Sequence, residues 1–503
     1  MAKKLHPSLE SGEFTLDDIT FPVFKIPNFE WSEVNLATRL TERITLKTPI
    51  ISSPMDTVTE HKMARLMAIE GGIGVIHYNM SVEEQMAEVE KVRRYEAGFV
   101  LKPEVLGPEA TVGDVYERAQ RSKELYGHEI FSYPITKDGT LQSELIGLVT
   151  HRDVRFTEDM TMRVVEIMTP RDMLIVARRE KTLDKGDIRT ANDLIRTNNK
   201  DTLPIVDKNN RLVALVTDSD LRKNDLAPLA TKDKNKQLKV LVAVESRLNL
   251  AKERILAAAT YGACGIVVDA RNIFQEHLEI AKFTKKNAPD LDVILGNVVT
   301  GEVVSQLLKE AGKYIDAIRV GIGSGEVCIT TESLGIGRPI GSSLRDISKV
   351  VLAYRKRTGR HIGIIADGGL KSPAHIIGAG MLSADAFMFG SLLAGVDESP
   401  KEEDWDQDRG MLIKKVRGMG SAEVIQERAG GNRYSVDKNT ASERFPEGIV
   451  KVIPYSGKGE KTVRKLFTGV KQGMHGLGHK NFKELARDGI LFPARRAASK
   501  GTL

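Results

Sequence analysis

The sequence predicts an α/β fold, a (β/α)₈ TIM-type barrel into which a second, internally repeated module is inserted. Short apolar runs alternate with helical patterns over most of the chain, the signature of right-handed βαβ units around a parallel sheet. Many of these runs end in polar or glycine-rich residues: Asp269, Asn297, Gly321, Asp367-Gly368-Gly369 and Gly390-Ser391. Chemistry gathered at strand C-termini is the habit of such barrels. A repeated block between residues 134 and 220 carries the insertion.

Taken in order, residues 238–244 read as a strand, 250–261 as a helix with alanines and charges interleaved, and 265–268 as a strand. Residues 276–286 read as a helix, 293–296 as a strand, 303–311 as a helix and 317–320 as a strand, with later strands at 362–366 and 386–389. In the repeat, Pro134-Ile-Thr-Lys-Asp-Gly precedes Leu145-Ile-Gly-Leu-Val-Thr-His-Arg-Asp, and Pro204-Ile-Val-Asp-Lys-Asn precedes Val213-Ala-Leu-Val-Thr-Asp-Ser-Asp. Each copy is a strand, a polar turn, a second strand and a Thr-x-x-Asp that opens a helix. The pairs Thr150/Asp153 and Thr217/Asp220 suit either ribose and phosphate contacts or helix N-caps.

A chain of 503 residues is too long for one small core, so two or three domains are expected. With 41% hydrophobic and 28% charged residues it reads as an ordinary soluble protein. No apolar run approaches the ~20 residues that span a bilayer, and the start of the chain has no apolar segment of a secretory leader, so no membrane partner is expected. Two cysteines, Cys264 and Cys328, make no disulfide framework and point to a reducing cytoplasm. The net charge of +6 and 5% aromatic residues admit small anions as ligands without arguing for nucleic acid. Basic residues near the C-terminus (Lys458, Lys461, Arg464, Lys465, Arg495, Arg496, Lys500) read as a solvated tail.

The stretch 319–330, Arg-Val-Gly-Ile-Gly-Ser-Gly-Glu-Val-Cys-Ile-Thr, is the most informative. Glycines at alternate positions, Gly321, Gly323 and Gly325, suit a backbone that turns sharply or approaches a ligand. Cys328 follows on the same loop, where a thiol is a candidate nucleophile. A small buried hydrophobe is the competing reading.

Longer motifs extend the picture: Ser52-Ser-Pro-Met-Asp-Thr-Val-Thr-Glu60, Gly71-Gly-Ile-Gly-Val-Ile-His77, Met168-Thr-Pro-Arg-Asp172, Gly296-Asn-Val-Val-Thr300, Ala366-Asp-Gly-Gly369, Gly390-Ser-Leu-Leu-Ala-Gly395 and Arg417-Gly-Met-Gly-Ser421. Together and in this order they make the chain resemble the IMP dehydrogenase / GMP reductase family over nearly its full length, and the repeat resembles a tandem pair of CBS modules. The implied layout is barrel over 1–99 and 225–503, a CBS pair over 100–224 and a mobile flap over about 403–450.

The resemblance implies NAD-dependent oxidation of IMP to XMP, with Cys328 attacking the purine and Thr330 relaying a proton. It makes Arg433 and Tyr434 (in Gly430-Gly-Asn-Arg-Tyr434) the water-activating pair of the flap, and Glu447 the carboxylate at the purine edge. Ser53, Met55, Asp367, Gly369, Gly390, Ser391, Met419 and Gly420 fall at substrate positions, and Asp269, Asn297, Gly321 and Gly323 at cofactor positions. The carbonyls of Gly323, Gly325 and Cys328 match ligands of a monovalent cation, K⁺. Adenine or guanine nucleotides at the CBS pair and a homotetramer or octamer are implied as well.

Departures fall at ligand positions. Glu326 stands where the family usually has a phosphate-contacting serine, and Val416 where it has a tyrosine; Lys371 or Lys415 are candidates to balance Glu326. Ala270 and Arg271 replace part of the usual cofactor loop, and Ala494-Arg-Arg-Ala-Ala does not match the family's C-terminal cation ligands. A GMP reductase, another purine-nucleotide oxidoreductase or a non-catalytic nucleotide-sensing paralogue therefore stay open beside the dehydrogenase. The Arg433-Tyr434 pair favours the dehydrogenase.

Overall fold

The computed structural model describes residues 5–95, 99–126, 129–185, 188–217, 227–427 and 445–494. Arg433, Tyr434, Asp220, Arg495, Arg496 and Lys500 lie outside them. Two compact units emerge, one of residues 1–92, 229–231 and 239–503, the other of 93–228 and 232–238.

In the first unit eight parallel strands close into a barrel in chain order. They are β1 (Ile50–Ser52), β2 (Ile73–Ile76), β3 (Leu241–Val244), β4 (Gly265–Val268), β5 (Asp292–Val298), β6 (Ala317–Val320), β7 (Gly363–Asp367) and β8 (Ala386–Phe389). Each is followed by a helix: α1 (His61–Ile69), α2 (Val82–Arg94), α3 (Leu248–Thr260), α4 (Gln275–Asn287), α5 (Gly301–Ala311), α6 (Ile340–Thr358), α7 (Pro373–Met381) and α8 (Gly459–Gly476). The expected strand at 238–244 begins three residues later, and the expected strand at 293–296 runs on to Val298.

The barrel strands are buried almost throughout, which is why they read as near-continuous apolar runs rather than alternating ones. Ile51, Ile73, Val75, Leu241, Ala243, Val267, Ile294, Ala317, Ile365, Ala386 and Met388 share one core. A hairpin of Thr38–Arg39 and Thr45–Leu46 adds Leu40, Ile44 and Leu46 to that core. It lies against the strand starts: a Cβ on Gly363 would sit 2.0 Å from the Leu40 carbonyl, and Thr41 donates to Asp292 Oδ2 at 2.5 Å. The strand C-termini are left to carry loops.

The expected tail over 458–465 is instead the first part of α8. Val463, Leu466, Phe467, Val470 and Met474 are buried at helical spacing, with Lys461 and Lys465 off that stripe. Arg464 pairs with Glu70 at 3.0 Å. Counting charges without their period hid the helix. Between β8 and α8 lies a three-stranded antiparallel sheet of β9 (Asp404–Asp406), β10 (Met411–Arg417) and β11 (Val450–Pro454). Part of the segment expected as a flap is thus regular structure. Among the described residues no helix is long and apolar enough to cross a membrane.

The second unit holds two three-stranded sheets whose hairpins match and whose third strands differ, one joining the second hairpin strand antiparallel and the other the first in parallel. One pairs Tyr133–Thr136 with Leu145–Val149 and adds Thr169–Pro170; the other pairs Thr202–Val206 with Leu212–Thr217 and adds Ala177–Arg178. Pro134 faces Leu148, Pro204 faces Leu215, and the register slips just after Ile135 in one and Ile205 in the other. Thr150 and Asp153 form a capping box, the Thr150 amide and hydroxyl donating to Asp153 Oδ2 at 2.7 and 2.8 Å.

One buried cluster has a measurable pH signature. Burial alone would raise the pKa of Glu88, but hydrogen bonds and charge from His61 (2.6 Å) and a hydrogen bond from Lys91 (2.7 Å) prevail and hold it at about 2. A carboxyl held below its unfolded value of 4.5 stabilises the fold above that pH and loses the contribution as pH falls toward 2. Glu88→Gln should flatten the acid limb of stability across that window and lower stability at neutral pH by about 1–3 kcal/mol, read by urea denaturation at a series of pH values.

Candidate active site

The C-terminal strand ends open on one cleft of about 390 Å³. β1 delivers Ser53 and Met55, β4 delivers Asp269, Ala270 and Arg271, β5 Asn297, β6 the 321–330 loop, β7 Asp367 to Gly369, and β8 Gly390 and Ser391. Met419 and Gly420 enter after β10, and Glu447 just before β11. Every catalytic, substrate, cofactor and cation-ligand position implied by the family resemblance lines this cleft except Arg433 and Tyr434, which fall outside the described residues.

The glycines of the cysteine loop differ in their reasons. Gly321 has φ +136°, and a Cβ there would lie 2.1 Å from the Asp367 carbonyl. Gly323 has φ +75°, and a Cβ would lie 1.8 Å from Thr331 Oγ1. Both positions therefore demand glycine. Gly325 meets only Cys328 Cβ at 3.6 Å and keeps an ordinary φ, so neither space nor conformation requires glycine there.

Cys328 Sγ lies 3.3 Å from Thr330 Oγ1, and Thr330 donates to Glu447 Oε2 at 3.2 Å. Glu447 reaches this place by backbone pairing. Ile329 N–H donates to the Glu447 carbonyl at 2.9 Å, Ile449 N–H to the Val327 carbonyl at 3.0 Å, and Cys328 and Gly448 form an antiparallel bridge. Gly418 packs into the same seam, where a Cβ would come 2.5 Å from the Val327 carbonyl. The thiol thus has a hydroxyl and a carboxylate in sequence beside it, the set a covalent mechanism uses for proton transfer.

Three cations that the sequence did not single out organise the acids. Ala317 points into the barrel core, so Arg319, two residues on, faces the same way at the barrel mouth. Its guanidinium donates to Asp269 Oδ1 at 3.1 Å and to Asp367 Oδ2 at 2.8 Å. Asn297 Nδ2 adds a bond to Asp367 Oδ2 at 2.9 Å and another to the Gly321 carbonyl at 2.5 Å. Arg271, noted only as a departure, donates to Glu447 Oε1 at 2.6 Å. Lys451 pairs with Glu326 at 3.3 Å. It is therefore Lys451, rather than Lys371 or Lys415, that sits against Glu326; Lys371 lines the cleft nearby, while Lys415 is exposed on β10. Val416 is fully buried and is not among the lining residues. A basic residue at or just past the end of a barrel strand was the available signal for Arg319 and Arg271.

Residues 13–500 match the family model described as the IMP dehydrogenase / GMP reductase domain. A curated relative from Schizosaccharomyces pombe, named inosine-5'-monophosphate dehydrogenase, is 39% identical over 467 residues, covering 91% of this chain and 84% of that protein. One of the same name from Toxoplasma gondii is 40% identical over 447 residues, covering 88% and 76%. Among solved structures, a GMP reductase from Trypanosoma brucei in complex with guanosine 5'-monophosphate superposes with a TM-score of 0.84 at 28% identity, covering 99% of this chain and 100% of that one.

Removing the Arg319 charge would take from Asp269, 1% exposed, and from Asp367 the guanidinium that they share. Arg319→Met is expected to destabilise the protein by about 3–5 kcal/mol, measured by chemical denaturation.

Proposed function

The chain belongs to the IMP dehydrogenase / GMP reductase family, and from that membership and the geometry at Cys328 we propose that it oxidises IMP to XMP with NAD⁺ in guanine nucleotide biosynthesis. The observation that carries this reading is the run from Cys328 through Thr330 to Glu447, at 3.3 and 3.2 Å, beside the anchored carboxylate of Asp367.

In this reading Cys328 Sγ, as the thiolate, bonds to C2 of the hypoxanthine ring as the C2–N3 double bond opens and N3 takes a proton. C2 then gives up its hydrogen as hydride, N3 gives back the proton and the double bond re-forms. Bound NAD⁺ supplies the acceptor for that hydride. Asp269, Asn297, Gly321 and Gly323 would hold the dinucleotide; a carboxylate and an amide beside open backbone suit ribose hydroxyls and a carboxamide. Asp367 accepts from the ribose of the purine nucleotide, and Ser53, Met55, Met419 and Gly420 line its nucleoside. Gly369, Gly390 and Ser391 offer donors to its phosphate. The covalent adduct is then hydrolysed by water activated at Arg433 and Tyr434, with Thr330 and Glu447 relaying the proton. The carbonyls of Gly323, Gly325 and Cys328 are assigned to K⁺. Such neutral oxygen donors on one tight loop suit a weakly charged cation, and the Gly325 carbonyl, which accepts from Cys328 N–H at 3.2 Å, keeps a second lone pair.

The second unit is assigned as a tandem CBS pair that takes adenine or guanine nucleotides; the matched hairpins and their register slips at equivalent positions support the pairing of modules. A homotetramer or octamer in the cytoplasm completes the proposal. GMP reduction is the second reading, favoured by the likeness to the Trypanosoma brucei enzyme over nearly the whole chain.

Purified protein with IMP and NAD⁺ should form NADH, followed by absorbance; no turnover there, with NADPH oxidised by GMP instead, would select the reductase. Cys328→Ala should lose all activity, whereas Arg433→Ala should keep a first burst of NADH and accumulate the covalent adduct, seen by mass spectrometry. Lys451→Ala, which leaves Glu326 without its cation, should raise KM for IMP several-fold, and adding Glu326→Ser should reverse the change.

A further inference from the structure

We infer that Arg271 is a positioning residue that aims the Glu447 carboxylate at Thr330 and so governs release of product from Cys328. The inference rests on the reading of the site as an IMP dehydrogenase. Arg271 and Glu447 are 176 residues apart in the chain and meet across the cleft at 2.6 Å. The two oxygens of the carboxylate are divided: Oε1 accepts from Arg271 and Oε2 from Thr330. With Oε1 pinned, rotation of the carboxylate about its last bond is stopped, and Oε2 stays opposite the hydroxyl. Arg271 is itself fixed. Its Nε donates to Asn272 Oδ1 at 3.2 Å, and the loop is tied to β5 by a bond from Asn297 N–H to the Ala270 carbonyl at 3.3 Å. The Glu447 side chain is 9% exposed, so without a cation it would be a nearly buried lone charge.

The step served is hydrolysis, since oxidation is complete once hydride has left C2. The oxygen of water bonds to C2 of the adduct. Its proton passes to Thr330 Oγ1 as the threonine proton passes to Glu447 Oε2. The C2–Sγ bond breaks with its electron pair leaving on sulfur, and Glu447 returns the proton to solvent. No electrons are gained or lost. A carboxylate that accepts at both oxygens can take that proton only while it is held opposite Thr330, and Arg271 is the group that holds it there.

The test is rapid-mixing kinetics of the full-length protein with IMP and NAD⁺. Arg271→Ala should keep a burst of about one NADH per site while steady-state turnover falls on the order of 10-fold and the cysteine adduct accumulates. Arg271→Lys should recover part of that loss. The double variant Arg271→Ala/Glu447→Gln should be no slower than Glu447→Gln alone, because the two residues act as one unit. A raised KM for NAD⁺ with steady-state kcat intact would make Arg271 a dinucleotide contact and overturn the positioning role. So would an equal fall in burst and steady state, or multiplicative losses in the double variant. If the unaltered protein forms no NADH from IMP, it is the reading of the reaction that fails, an outcome distinct from any of these.

Discussion

The guanidinium of Arg319 is the interaction on which the mouth of the barrel depends. It sits on β6, reaches Asp269 at the end of β4 and Asp367 at the end of β7, and so ties three strand ends through one planar group. Lysine could not do this as well, because a fork of fixed N–H directions sets the spacing of both carboxylates. The two acids belong to different halves of the cleft, one beside the proposed dinucleotide positions and one beside the proposed ribose. A single buried cation thus fixes the spacing of the two carboxylates across the mouth of the cleft.

A second level of organisation is made by backbone rather than side chains. Glu447 is brought to Cys328 by strand-like pairing of 447–449 with 327–329, and Gly418 and Gly448 keep that seam thin. Above this level the polar contacts are distributed by sign. Acids on the loops each meet a cation from a different element: Glu447 meets Arg271, Glu326 meets Lys451, and Asp56 meets Arg417 at 2.7 Å.

Much of this was legible in the sequence, for physical reasons. Barrel strands announce themselves as buried apolar runs, and their polar C-terminal residues had to converge once the sheet closed, so the candidates quoted from those ends line a single cleft. Gly321, Gly323 and Gly325 read alike as glycines of necessity, and only the first two are. What stayed hidden were pairings between distant residues: Arg271 with Glu447 across 176 positions, Lys451 with Glu326 across 125. Charge complementarity alone offers many partners, and only the folded chain chooses. The misread tail at 458–465 shows the converse, where a periodic signal was present in Val463, Leu466, Phe467 and Val470 and was masked by counting charges. Thr150 and Asp153 had two chemically sound readings, and their hydroxyl and carboxylate are engaged with each other.

The seam between Gly418, Val327 and Gly448 has a consequence for how the enzyme can fail. Cys328 and Glu447, the proposed nucleophile and proton acceptor, lie on loops joined edge to edge by a few main-chain bonds, outside the closed sheet of the barrel. Such a join opens with its own free energy, below that of global unfolding. A methyl group at Gly418, 2.5 Å from the Val327 carbonyl, would act as a wedge that parts thiol from carboxylate while touching neither. Loss of catalysis and loss of folding are therefore separable properties of this chain, and its fragile point is a line of glycines rather than any reactive group.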